Sequence, residues 1–593
     1  MEKQSSLRDD MSSDDDLEDV VVVREQAPAP ASQSAKEEEP EQQGRQGSVS
    51  LLSRLSSVSS SFSNDDQTKE GQEPSKEKPQ QQRRRSLLAR LGGGLCNEEV
   101  DIADAGIRSQ LSRLNGLMKL DMNKDRQRKR FMDQVRELVQ KNPKLALYRF
   151  KVDGLEEPLL HQVICRRPPL DLVELVYAYN PAAAMEKGFG DYTILHTACL
   201  CHNTKEVIEF LVKQDPLNLQ ARRPFPPLFC AIDNETHMEV LEFLVKSYPA
   251  ALCSCDLSSV TPLDVALMEQ MPLPIIQLFV SHYPSPELKV SERAGCVQMH
   301  PEVSSIFASE HRIIRTLDAT NMRFTRPGWT TFFKLVACNE TLTELLLDLG
   351  EAEVDPDACD ALNKMMREND SLTKVSISGR LLPTAFAKAV ISGFSKNQVM
   401  TELSFLVHLD FMNIEGLVRN CASHPTLTKL TLRHCVADGT DWSGLSSLTS
   451  LERLDLSDCM VGPSLAEPLA ALIEKTDRLE ELNVARNRIG DKGTVLIAKA
   501  LEKNSSLQGV DFGQNNIEET GWQAFVSTLQ ECNSSLLSLG FAMDDAHYDT
   551  YNQQVLYYCD QNAMGRSKLS PRNEEENYPP TKLNRLTSSQ KAS

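Results

Sequence analysis

The feature that most constrains this chain is a pattern repeated at a fixed interval across residues 451–529. Leu451, Leu454, Leu456 and Cys459 set out the frame L-x-x-L-x-L-x-x-C. It recurs at Leu479, Leu482, Val484 and Asn487, and again at Leu507, Val510, Phe512 and Asn515, with starts 28 residues apart. Apolar residues at alternate positions describe a short strand with one buried face. A unit this small cannot bury that face alone, so copies must stack into a solenoid. Weaker copies start at Ile314, Leu342, Leu372, Met400 and Leu427 on one side and at Leu536 on the other, which makes nine units. After the strand frame the spacing turns helical, as over 493–501. The shorter unit at Leu427 carries Gly439, Trp442 and Gly444, which predicts a truncated or irregular helix there.

A second period precedes the first. Leu159-Leu160-His161, Ile194-Leu195-His196, Pro227-Leu228-Phe229 and Pro262-Leu263-Asp264 end 35, 33 and 35 residues apart. Each is followed by an apolar helical stretch that runs to a proline: Pro181, Pro216, Pro249 and Pro284. Proline ends a helix because it lacks an amide and restricts its predecessor. Pro143 marks a fifth, partial unit. Two helices per unit near 33 residues resembles the ankyrin repeat. Thr193-Ile194-Leu195-His196-Thr197-Ala198 matches its T-P-L-H-x-A box with Ile for Pro, and Thr261-Pro262-Leu263-Asp264-Val265-Ala266 matches with Asp for His. The usual Gly-His between the helices is absent, and Asn203-Thr204 stands there. Arg222-Arg223-Pro224-Phe225-Pro226-Pro227 reads as a stiff loop, either a contact finger or a rigid turn.

The leucine frame resembles the ribonuclease-inhibitor type of leucine-rich repeat. That resemblance implies parallel strands on a concave face and helices on the convex side. It also implies that Asn487, Asn515, Cys435 and Cys459 bond the turn after each strand. The expected fold is a mixed repeat protein: an all-α ankyrin-like solenoid over 131–285, then an α/β leucine-rich repeat horseshoe over 313–560. A junction over 286–312, with a short helix near 303–307, is expected to seal the first solenoid. Disordered tails are expected at 1–125 and 561–593. Candidate binding residues lie between the leucines, facing solvent: Lys429, Arg433 and Arg453 form a basic spot, with Asp455, Glu481 and Asp511 beside it. Gly513, Gly540 and Ala542 suggest a flat region open to close approach by a partner backbone.

The first 80 residues hold 18 acidic and 9 basic side chains and few apolar ones, so burial cannot offset chain entropy. Within them, Val20, Val21, Val22 and Val23 follow an acidic run, favour extended backbone and resemble a SUMO-interacting motif. Such a motif binds by adding a strand to a sheet edge. Residues 81–130 reverse the balance, with 12 basic against 6 acidic. Ser86 follows Arg83-Arg84-Arg85, a pattern suited to a basophilic kinase. Arg126-Gln127-Arg128-Lys129-Arg130 reads either as a nuclear-localisation patch or as the solvated face of the first helix. Ser570-Pro571 is a further phosphorylation candidate.

A net charge of −20 argues against a general nucleic-acid binder. No apolar run reaches the roughly 18 residues of a membrane span, and the first residues lack a signal-peptide core. Fifteen cysteines in that setting read as reduced thiols. A cytoplasmic, or alternatively nuclear, compartment is expected. Cys199-x-Cys201-His202 and Cys253-x-Cys255 are not read as a metal site, since neighbouring thiols on a helix diverge. No phosphate loop, zinc-hydrolase or nucleophile-elbow motif is present, and no cofactor or small-molecule substrate is expected. The expectation is a non-enzymatic scaffold whose partners are other proteins. The alternative is a GTPase-activating or regulatory protein, by likeness of fold to the Ran GTPase-activating protein.

Overall fold

The computed structural model describes residues 105–564, apart from 119, 121–124, 153–154, 189–191, 222–224, 233–236, 257, 295–296, 350–354, 410, 436–438 and 542–547. Val20, Val21, Val22, Val23, Ser86 and Ser570 lie outside the described residues.

Four helix pairs occupy the second period: Leu159–Ile164 with Leu170–Tyr179, Ile194–Leu200 with Lys205–Gln214, Pro227–Ala231 with Met238–Ser247, and Pro262–Met268 with Leu273–Ser281. The longer helix of each pair buries one apolar stripe, such as Val207, Ile208 and Leu211, and turns its charges outward. Pro181, Pro216 and Pro249 do more than stop these helices. Each opens a short 3-10 turn, Pro181–Met185, Pro216–Gln220 and Pro249–Cys253, because its fixed φ and missing amide suit a first helical position. An antiparallel hairpin of β1 (Arg149–Val152) and β2 (Leu155–Pro158) precedes the first pair, which periodicity did not predict.

The third residue of the opening segment is polar in three of the four helix pairs and bonds to neighbouring structure there, whereas the remaining pair has Phe229. His161 Nε2 lies 3.1 Å from the Ala183 carbonyl. Burial lowers the His196 pKa to about 4, so its ring is neutral. Its Nδ1 accepts from Thr193 N–H at 3.2 Å, and its Nε2–H donates to Phe225 O at 2.6 Å. Phe225 therefore turns inward and packs 5.6 Å from Phe229, ring to ring. The expected contact finger has its aromatic residue in the core, and residues 222–224 lie outside the described residues. At the last pair the box residue is Asp264, fully buried. Its Oδ2 accepts from Thr261 N–H and Oγ–H at 2.8 Å each, and its Oδ1 accepts from Ser291 N–H at 2.8 Å.

Ser291 follows β3 (Glu287–Lys289), and here the expected organisation changes. Residues 286–312 hold the expected short helix, as Pro301–Ala308, and add a strand that the period did not predict, so that they form another strand-and-helix unit. That helix packs against Leu273–Ser281 on one side and against Arg326–Val336 on the other. A second strand pair, β4 (Gln298–Met299) with β6 (Arg323–Phe324), binds the first two units together. Gly328 is required there, since a Cβ would strike the Met299 carbonyl.

The main sheet has ten parallel strands. In spatial order they are β3, β5 (Thr316–Ala319), β7 (Glu344–Asp348), β8 (Lys374–Leu381), β9 (Glu402–His408), β10 (Lys429–Arg433), β11 (Arg453–Asp455), β12 (Glu481–Asn483), β13 (Gly509–Asp511) and β14 (Ser538–Gly540). The nine expected strands are all among them. The unit at Leu427 has only the 3-10 turn Ser443–Ser447 where the others have a helix. The helix Tyr548–Ala563 follows β14 and runs past residue 560.

Two sets of buried polar side chains hold the turns. At the strand exits, Asn487 Nδ2–H donates to Leu456 O and Val484 O at 2.9 Å each, and its Oδ1 accepts from Val461 N–H at 3.0 Å. Asn515 repeats this with Val484 O at 2.8 Å and Phe512 O at 2.9 Å. Cys459 and Cys435 hold the same place by donating S–H to Leu432 O and Val407 O. A second set, not singled out from the sequence, lies three residues before the start of several units. Asn369 donates to Val336 O at 2.6 Å and accepts from Leu372 N–H at 2.6 Å. Asn397, Asn504 and Asn533 do the same in later units.

The N-terminal boundary also differs from expectation. Residues 105–118, placed in the tail, form the helix Ala105–Met118 and bury Leu114, Leu117 and Met118. Arg166 reaches that helix, donating to Met118 O at 3.2 Å, while its guanidinium sits 4.8 Å over the Phe131 ring. The basic run 126–130 lies in the helix Asp125–Lys141, with Arg126, Lys129 and Arg130 exposed.

Replacing Asp264 tests the joint between helix pairs and sheet. Asp264→Ala leaves the Thr261 and Ser291 amides without their acceptor, at about 1–3 kcal/mol each. Urea denaturation followed by far-UV circular dichroism should show the lower midpoint. An unchanged midpoint would refute the joint.

Candidate binding face of the sheet

Alternation in each strand sends leucines to the core and the residues between them to the open face. The parallel register then lines up equivalent positions across strands. The first such row runs Glu344, Lys374, Glu402, Lys429, Arg453, Glu481 and Gly509. Lys429 and Arg453 are direct neighbours, and like charges so placed repel. Each turns to an acid on its far side. Lys429 Nζ donates to Glu402 Oε1 at 2.6 Å, and Arg453 lies 3.1 Å from Glu481. Lys374 also reaches Glu402, at 3.3 Å. Burial alone would raise the Glu402 carboxyl, but the Lys429 hydrogen bond and the charges of Lys374 and Lys429 hold it below the ordinary glutamate value.

The second row holds Asp455, Asn483, Asp511 and Gly540. Asp455 accepts from Ser457 N–H at 2.9 Å and Asn483 Nδ2–H at 3.3 Å, and lies 4.0 Å from Arg433 Nε. Asp511 accepts from Gly513 N–H at 3.0 Å. The expected flat region is narrower than its glycines suggest: a Cβ on Gly540 would come 3.1 Å from the Asp511 carboxyl. Ala542 lies outside the described residues.

The structure thus brings Lys429, Arg433, Arg453, Asp455 and Glu481 onto adjacent strands, with Asp511 one strand further. It pairs the three cations with acids, so the basic spot is neutralised within the face. Two donor atoms make no hydrogen bond within it. Arg433 Nε and the hydroxyl of Ser457, a residue only 3% exposed, are buried without a hydrogen-bond partner among the described residues. Ser457 stands two residues beyond Asp455, opposite Arg433 by continuation of the β10–β11 register.

Sequence reasoning missed two further groups. His434, Asp458 and Arg486 hold equivalent left-handed positions, with φ of 58°, 58° and 57°, just beyond the strands. His434 Nδ1 lies 2.9 Å from Asp458 and Arg486 lies 4.0 Å from it. Their shared place directly before Cys435, Cys459 and Asn487 was the available signal. Lys289 lies 2.8 Å from Asp318 across β3 and β5. That pair was hidden because β3 was not recognised. Among the described residues, no three His, Cys, Asp or Glu side chains are grouped to hold a metal ion. Cys199 is buried, which raises its thiol to about 12.

Acid should weaken this face with a defined sign. A carboxyl held low in the folded state stabilises above its unfolded value, about 4.3 for glutamate, and that stability is lost as pH falls through the folded value. Glu402→Gln should therefore lower the urea midpoint at neutral pH and lose its difference from wild type as pH falls from about 4.3 through the lower folded value. A difference that persists in acid would assign the effect to packing.

Residues 479–498 match the family described as Leucine Rich repeat. NACHT, LRR and PYD domains-containing protein 5 of Mus musculus is 26% identical over 161 residues, covering 26% of this chain and 14% of that protein. The chain therefore spans a small part of the length of that curated relative. Among solved structures, Leiomodin-1 Actin-Binding Site 2 (ABS2) is 20% identical, with a TM-score of 0.20, and is matched over 22% of this chain and 80% of its own. The tropomodulin C-terminal domain of Caenorhabditis elegans is 14% identical, with a TM-score of 0.22, over 30% of this chain and 93% of its own. Among the described residues no helix is long and apolar enough to cross a membrane. The region of the ten-stranded sheet contains leucine-rich repeats.

Proposed function

We propose that this chain is a non-enzymatic scaffold that binds other proteins through the open face of its sheet and through the loops of its helix pairs. The carrying observation is Arg433, whose side chain is 44% exposed on this face and lies 4.0 Å from Asp455, a looser pairing than those of Lys429 at 2.6 Å and Arg453 at 3.1 Å. A carboxylate on a partner protein can take the exposed part of the Arg433 guanidinium without disturbing the leucine core. Nucleic acid does not fit a face this rich in carboxylates.

The helix pairs read as ankyrin-like units. The neutral His196, bonded within its box and onward to Phe225, supports that reading, as does the capping box at Thr261 and Asp264. The compartment is read as cytoplasmic, or alternatively nuclear.

A pull-down from native cell extract tests the face directly. Wild type is compared with Lys429→Glu/Arg433→Glu/Arg453→Glu and with Arg433→Ala alone, both checked for folding by circular dichroism. The expected result is one captured protein whose affinity falls at least about tenfold in Arg433→Ala, a loss of about 1.4 kcal/mol, and is abolished in the triple variant. Unchanged capture by both folded variants would move binding away from this face. Acceleration of GTP hydrolysis by a small GTPase mixed with the chain would overturn the non-enzymatic reading.

A further inference from the structure

We infer that a bulge in β8 builds a docking point on the open face of the sheet. It fits a segment of a partner protein that carries a large apolar side chain and a carboxylate about one helical turn apart. This docking point deepens the proposed function and rests on the open face being the binding surface.

β8 and β9 run in register from Lys374 opposite Glu402 to Ser378 opposite Leu406. The next pair is Leu381 with His408, so three steps along β8 match two along β9. Gly379 takes up the extra residue with a φ of 132°, a conformation that glycine adopts without strain. An extra residue reverses which side chains face outward from that point. By plain alternation Arg380 would stand beside His408 on the open face, and Leu381 would enter the core. With the bulge, Leu381 stands beside His408, and Leu382, 4% exposed, enters the core instead. The core receives a leucine either way, so core packing does not account for the bulge. Its net effect is to set a leucine on the open face in place of an arginine. Leu381 is 61% exposed, and among the described residues of the strands it is the one large apolar side chain left exposed.

Leu406 lies two residues before His408 on β9, half-buried on the same face. Its neighbour on β10 is Arg433, one strand spacing away, about 4.8 Å. An exposed leucine, a half-buried leucine and a cation thus run diagonally across β8, β9 and β10. Asp455, the acid 4.0 Å from Arg433, also accepts from Ser457 N–H at 2.9 Å and Asn483 Nδ2–H at 3.3 Å. A partner carboxylate can take the guanidinium in a two-point contact while Asp455 keeps both of those donors. An apolar side chain laid over Leu381 and Leu406 removes apolar area from water at the same time. Residues three or four apart on a helix stand about 5–6 Å from one another, which matches the step from Leu406 to Arg433. A basic segment would meet Arg433 with like charge, and a wholly polar one would leave Leu381 uncovered.

The test selects binders of the full chain from a library of random peptides displayed on phage, then measures the enriched peptides in free form by fluorescence anisotropy. Expected are peptides that share a leucine or aromatic residue with an aspartate or glutamate three or four positions away. Their affinity should fall at least about tenfold for Leu381→Ser and for Arg433→Ala, and should survive in Leu381→Met. Circular dichroism checks that each variant is folded. Added salt should weaken binding to wild type more than to Arg433→Ala. Enriched peptides without that pair of residues, or peptides that bind Leu381→Ser and Arg433→Ala as tightly as wild type, overturn the docking point. If such peptides lose affinity for Lys429→Glu/Arg453→Glu, the open face remains the binding surface and the docking point alone is lost. If they bind that variant unchanged, both readings fail. A selection that enriches no peptide also overturns the docking point.

Discussion

Every turn in this solenoid buries backbone amides and carbonyls that strand pairing does not use, and the fold depends on satisfying them. An unmet buried group costs about 1–3 kcal/mol, and a repeat array multiplies that cost by its number of units. Asparagine answers it economically, because one side chain both donates and accepts. Asn487 and Asn515 do so at the strand exits, and Asn369, Asn397, Asn504 and Asn533 before the next strand. Cysteine at 435 and 459 is a weaker substitute, since S–H donates but the sulfur is a poor acceptor. These two cysteines flank the one unit whose helix is reduced to a 3-10 turn.

The same demand explains how the two periods join. Within the helix pairs the neighbouring layer presents a carbonyl, and a histidine N–H meets it, as His196 meets Phe225 O. At the last pair the neighbour is a strand unit that presents the Ser291 amide, so an acceptor is needed, and Asp264 is the residue there. The Asp that stands for His in this copy of the box is a change of hydrogen-bond polarity at the joint. With Leu273–Ser281 packed on Pro301–Ala308 as well, the last helix pair and the first strand unit share packing instead of meeting at a flexible linker. Under the proposed function, two binding regions on such a frame favour a partner whose own sites match a fixed spacing, whereas a flexible linker would trade that selectivity for reach.

What was legible in the sequence follows from how local each signal is. The leucine frame is local, and all nine strands expected from it are in the sheet. The tenth, β3, was missed because Ser285 stands where the leading leucine belongs, so only Leu288 and Val290 carry the alternation. The helix over 105–118 was missed for a different reason. Its buried residues, Leu114, Leu117 and Met118, sit in a basic, polar stretch whose composition outweighed its spacing. On the open face, alternation predicted which residues point outward but not whom they meet. Glu402 and Lys429 are 27 residues apart, and their contact depends on a register set by every turn between them.

That pairing changes what the face can recognise. Exposed ion pairs of this kind are each worth about 0–1 kcal/mol, so a partner carboxylate can displace Glu481 from Arg453, or Glu402 from Lys429, at little cost and for little gain. The paired rows therefore contribute little net affinity. They do restrict which arrangements are tolerated, because a partner in the wrong register would set like charges opposite one another. Affinity has to come from groups that are weakly engaged before binding, and Arg433, 44% exposed and 4.0 Å from Asp455, is where the described face offers one. On this reading the net charge of the surface is a poor guide to its partner, and the position of its loosely paired cation is a better one.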